Sequence, residues 1–212
     1  MSPSKHRDTT RHRALAPVAN VTPRLLSAQA VFFPAATAYA VVVVPGSVLA
    51  MLGAAAPMQG LLSPIGHAHE MVFGFALAVI CGHQLGSMKL LPLMVLLGVW
   101  VLARVAFLIA PQSLTSIGAN VAYAVMLGWR FVPRLVAITK NLRNAALPGV
   151  LTSICASGIA FQALMHTGFD PRIRAVIEVV ALLLALLMLF MGGRLLATAV
   201  AGQLYRQGVR GA

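Results

Sequence analysis

Six long apolar runs, separated by short polar or glycine- and proline-rich turns, set the pattern of the chain. They extend from about Val31 to Leu52, His69 to Ser87, Leu90 to Ala110, Leu114 to Phe131, Ala145 to Met165 and Ile173 to Leu196. Each is close to the roughly 20 residues that carry a helix across the hydrocarbon core of a bilayer. The apolar stretches are continuous rather than alternating, which argues against a β-barrel. The pattern therefore predicts an all-α integral membrane protein with about six transmembrane helices, its domain covering residues 29–204. A polar, basic tail over residues 1–28 is expected to be mobile, and residues 205–212 form a short second tail. Pro45-Gly46 falls inside the first run and is expected to kink or loosen that helix.

The second run carries the most information. It opens on His67-Ala68-His69-Glu70-Met71, so two histidines and a glutamate stand where the helix enters the membrane. Ionisable groups are expensive there and mark functional or paired positions. His69, Phe73, Ala76, Ile80 and His83 fall near one face of a regular helix. Gly74, Ala78, Gly82 and Gly86 recur every four residues on roughly the opposite face, a small-residue pattern that lets helices approach closely. This predicts tight packing on one side, suggesting a homodimer or a partner, and histidines on the other.

Composition agrees with the membrane reading: 59% of residues are hydrophobic and only 9% charged, against about 25% charged in soluble domains. The net charge of +12 does not imply nucleic acid, because the basic residues sit at the ends of apolar runs. They also orient the chain. With the N-terminus inside, the inner segments hold Lys5, Arg7, Arg11, Arg13, Arg24, Lys89, Arg130, Arg134, Lys140, Arg143, Arg194, Arg206 and Arg210, and the outer loops only Arg172 and Arg174. Both termini are therefore expected in the cytoplasm, with His67, His69, Glu70 and His166 near the outer surface and His83 near the inner one. Cys81 and Cys155 lie inside apolar runs and read as core residues rather than a disulfide.

Candidate chemistry rests on the histidines and the intramembrane charges. Imidazole suits iron, copper and zinc, so His67 and His69 are candidate metal ligands if His67 lies in the loop before the helix. Otherwise they point about 200° apart and act as interfacial caps. His69 and His83 stand about 21 Å apart along a regular helix, a spacing that resembles the one by which some transmembrane b-type cytochromes hold two haems. His166, at the outer end of the fifth run, is placed to face His69 across one haem, with Glu70 orienting the imidazole. Arg104 and Glu178, at a depth similar to Glu70, form a candidate charge cluster, since an unpaired charge near the bilayer centre costs roughly 2.5 kcal/mol or more.

Several stretches together resemble the NnrS family of bacterial membrane proteins. They are Phe32-Phe33-Pro34, His67-Ala68-His69-Glu70-Met71-Val72-Phe73-Gly74-Phe75, Arg104, Leu142-Arg143-Asn144 and Met191-Gly192-Gly193-Arg194, in the family's order from about Ala30 to Gly208. The His-Ala-His-Glu-Met stretch followed by Phe-Gly-Phe is the specific one. The resemblance implies an inner-membrane protein that binds haem or copper through His67, His69 and Glu70, acts in the nitric oxide response of denitrifying and related bacteria, and meets nitric oxide as a ligand. Family members usually have about twice as many spans, so a homodimer or a partner chain supplying a second half is expected. No acid–base or nucleophile arrangement identifies a reaction. Two other readings stay open: a dimerising transporter half with Glu70, Arg104 and Glu178 along its pathway, and a cofactor-free structural or assembly subunit.

Overall fold

The computed structural model describes residues 25–54, 58–138, 142–167 and 170–206. The protein is an all-α membrane protein. A short strand, β1 (Leu25–Ser27), leads into α1 (Ala28–Met51). The second span is built in three parts: α2 (Pro64–His69), a π-helical turn over Glu70–Ala76, and α3 (Leu77–Leu85). Strand β2 (Ser87–Lys89) follows, then α4 (Leu90–Ile109), α5 (Leu114–Ile138), α6 (Leu142–Thr167) and α7 (Asp170–Arg206). Six helical rods thus match the six apolar runs. Five of them are long and apolar enough to cross a membrane on length and composition alone. The exception is α5, which spends Ser116 and Asn120 on the protein interior.

The second span is the centre of the bundle. Half of its apolar window is buried, against 11% for α7. It touches α1, α4, α5 and α7, while α4, α5, α6 and α7 pack each against the next. The glycine pattern on this span does two different jobs. A Cβ on Gly82 would lie 2.8 Å from the ring of Phe33 and 3.2 Å from Phe32, so this position lets α1 approach. Ala78 is also fully buried. The close packing predicted from the small residues is therefore made within the chain at Gly82. Gly74 serves the polar centre instead. Gly86 ends α3 at φ +62°, a backbone conformation that side chains rarely tolerate, and its carbonyl accepts the Ala28 N–H at 2.8 Å.

That turn brings together β1 and β2, an antiparallel pair with Leu25 opposite Lys89 and Ser27 opposite Ser87. Neither strand is foreseen by the apolar pattern, which assigns Leu25–Ser27 to the tail; residues 1–24 lie outside the described part. The first helix continues through Pro34 and Pro45 to Met51. Beside Pro45, Gly46 makes room for the sulfur of Met58, which lies 3.3 Å from where a Cβ would stand.

Candidate functional site

Glu70 is completely buried, at the first position of the π turn. Its carboxylate receives four hydrogen bonds. Arg104 Nη1 donates to both oxygens, at 2.9 and 3.0 Å. His69 Nδ1 donates to Oε1 at 2.9 Å, and the Tyr39 hydroxyl donates to Oε2. A carboxylate and a guanidinium both out of water are held only by such pairing. Arg104 is 2% exposed, and its Nη2 donates to the Asn120 side-chain oxygen, whose own amide donates to the Ser116 carbonyl at 2.9 Å.

The π turn explains how two adjacent residues, His69 and Glu70, both face inward. A wide turn changes the register of the side chains before and after it, so the regular 3.6-residue face predicted to run from His69 to His83 does not exist. His69 is buried in the bundle, and His83 stands exposed at the end of α3. Gly74, within the π turn, leaves room for the charges: a Cβ there would lie 2.8 Å from Glu70 Oε2 and 3.0 Å from Arg104 Nη1. Its carbonyl is covered by the Trp100 indole N–H at 3.0 Å.

His69 is enclosed on every side. Its ring stacks on Phe107 with centroids 3.9 Å apart and on Phe161 at 4.5 Å, and Phe73 lies at 5.3 Å. Because Nδ1 carries the proton donated to Glu70, Nε2 is an acceptor, and Gln162 Nε2 donates to it at 3.0 Å. With both nitrogens bonded and both faces covered, the geometry does not fit a haem held between His69 and His166. His166 is exposed near the end of α6 rather than opposed to His69. His67 is half-buried and, two residues before His69 within the same helix α2, points away from it. Its Nδ1 is buried without a partner. Among the described residues, no group of three or more histidine, cysteine or acidic side chains could hold a metal ion.

The charge cluster also differs from the expected one. Arg104 pairs with Glu70, whereas Glu178 is exposed on α7. With Arg174 it lines a groove of about 620 Å³ at the same end of the bundle as Pro64, Gln112 and Met165. Glu178 shares that groove with Pro64, Ile65 and Ala68 of the second span but stays exposed in it, while the Glu70 carboxylate already occupies the Arg104 guanidinium. Both cysteines are free and buried, as read from the sequence. Sequence reasoning missed Tyr39, Asn120, Gln162, Phe107 and Phe161. The available signal was the polar residues Asn120 and Gln162 inside otherwise apolar helices, which require partners in a membrane.

No curated protein and no solved structure is similar enough to the chain to count as a match. A family model does match: the one described as NnrS protein covers residues 30–211, and the chain belongs to that family.

Proposed function

We propose that this membrane protein acts in the response to nitric oxide, in the bacterial inner membrane, with both termini on the cytoplasmic side. Family membership supports the role. The excess of basic residues on the segments joined to the N-terminal side supports the orientation. One observation carries the reading of the site: His69 has both ring nitrogens bonded and both faces covered. The centre of the single chain is a packed, charge-compensated core. That favours a structural or assembly role for the core over a transport pathway, since the free space beside it is only about 10 Å³.

A second reading concerns the haem or copper that the resemblance implies. It is favoured by two details, the Nε2 lone pair of His69 and the π turn, a device frequent at functional sites. Withdrawing Gln162 would bare Nε2 in the form that ligates metals. His69 would then be the residue to hold the group, with Glu70 orienting it.

Three measurements test these statements. Cells lacking the protein are expected to grow more slowly than their parent under a nitric oxide donor, and equal growth would overturn the role. Protein purified from cells with ample haem supply is expected to show no Soret band that depends on His69. A band lost in His69→Ala, and strengthened in Gln162→Ala, would replace the first reading with the second. Reporter fusions after Met58 and Arg172 should score periplasmic, and fusions after Lys140 and Ala212 cytoplasmic; a cytoplasmic Met58 fusion would invert the topology.

A further inference from the structure

The polar centre leaves three deeply buried groups without a hydrogen-bond partner: Arg104 Nε, the Tyr123 hydroxyl and Gln162 Oε1. The three residues are only 2%, 1% and 1% exposed. All three line the same enclosed cavity, together with His69, Asn120 and Gly158, and the cavity volume is about 10 Å³. That is the lower limit of the space that holds one water molecule, and far too little for an organic ligand. Among the described residues, the other unpaired buried side-chain atoms, His67 Nδ1 and Ser116 Oγ, belong to residues that do not line it.

The directions of the surrounding hydrogen bonds fix what the occupant must do. Glu70 is an acceptor from Arg104 and His69. His69 Nε2 is therefore an acceptor from the Gln162 amide nitrogen, which leaves Gln162 Oε1 an acceptor in need of a donor. Arg104 Nε–H is a donor in need of an acceptor. Tyr123 can serve as either, and the Cys81 thiol near its hydroxyl is at most a weak partner. A cation would be repelled by the guanidinium, and an anion would meet Gln162 Oε1.

We propose that this cavity is a binding site for a single water molecule, which accepts from Arg104 Nε–H, donates to Gln162 Oε1 and takes the Tyr123 hydroxyl as its third partner. The water closes a ring of hydrogen bonds running Glu70, His69, Gln162, water, Arg104 and back to Glu70. Internal waters typically make about three hydrogen bonds to groups that are otherwise unsatisfied. The ring holds His69 in one tautomer, because reversing any one bond leaves two acceptors or two donors face to face.

The test is an experimental structure of the full chain at a resolution that shows ordered waters. Water-proton relaxation dispersion on the purified protein then counts slowly exchanging internal waters. The expected result is a density peak within hydrogen-bonding distance of Arg104 Nε and Gln162 Oε1. Tyr123→Phe should retain the water on its two remaining partners. Ala124→Ser, which adds a hydroxyl to the cavity wall, should lose one slowly exchanging water relative to the parent. A cavity without density, or one closed by direct bonds among the three side chains, would overturn the proposal. So would an unchanged water count in a folded Ala124→Ser protein.

Discussion

Arg104→Met should lower the stability of the folded protein by about 3–5 kcal/mol, the range for removing one member of a buried ion pair. The substitution keeps an unbranched side chain of similar length but strips Glu70 of the guanidinium that bonds both its oxygens. It also strands Asn120, whose side-chain oxygen accepts from Nη2. Glu70→Gln should be costly for the reciprocal reason, since it leaves a guanidinium buried opposite a neutral amide. The decisive measurement is the double variant. If the pair is coupled as the geometry requires, Glu70→Gln in the Arg104→Met background should cost far less than it does alone. Denaturation in detergent, followed by helical signal, reads all four proteins. Purely additive losses would show that the two charges do not hold each other.

Gly66→Ala should be as damaging, through geometry rather than charge. A Cβ on Gly66 would lie 1.9 Å from the carbonyl oxygen of Gly60, and one on Gly60 would lie 2.4 Å from the carbonyl oxygen of Phe107. In both cases the obstacle is backbone, which cannot swing aside as a flexible side chain can. Overpacking typically costs about 1–3 kcal/mol, and more where nothing yields; a loss at or above the top of that range is expected. Gly66 also donates to its N-cap residue Ser63 at 3.1 Å, so displacing it loosens the first turn of α2. Phe107 stacks on His69, and the disturbance should therefore reach the polar centre. Gly98→Ala is the control, with open space around its Cβ, and should be neutral or slightly stabilising. Wild-type denaturation behaviour in Gly66→Ala would contradict this packing.

The spans were legible because hydrocarbon demands long apolar helices, and that demand is written residue by residue. Glu70 and Arg104 were legible as buried charges for the same reason. Their partnership was only half legible: position along a helix gives depth, but not which way a side chain faces. Glu178 is exposed in the groove beside Pro64 and Ala68, so it stays outside the cluster that Tyr39, His69 and Asn120 complete. The π turn was not legible, since Glu70–Ala76 contains nothing that distinguishes it from an ordinary helical stretch. One extra residue in a turn was enough to separate His69 from His83. Gln162 decides the state of the His69 ring, yet a neutral amide in an apolar helix carries no mark of the residue it will bond.

The small ladder between Leu25–Ser27 and Ser87–Lys89 has a bearing on where the bilayer lies. Among the described residues it contains two strands, so each strand keeps an edge whose amides and carbonyls need water. Open sheet edges facing lipid do not occur within the hydrocarbon region, and the ladder therefore marks a membrane boundary. Lys89 immediately precedes α4. Fifteen residues of helix rise separate it from Arg104, which at 1.5 Å each puts the guanidinium about 22 Å above that boundary. In a hydrocarbon core about 30 Å thick, the ion pair sits roughly 8 Å beneath the far surface. The ladder thus acts as a depth gauge, and by it the charges ride in the far third of the membrane rather than at its midplane.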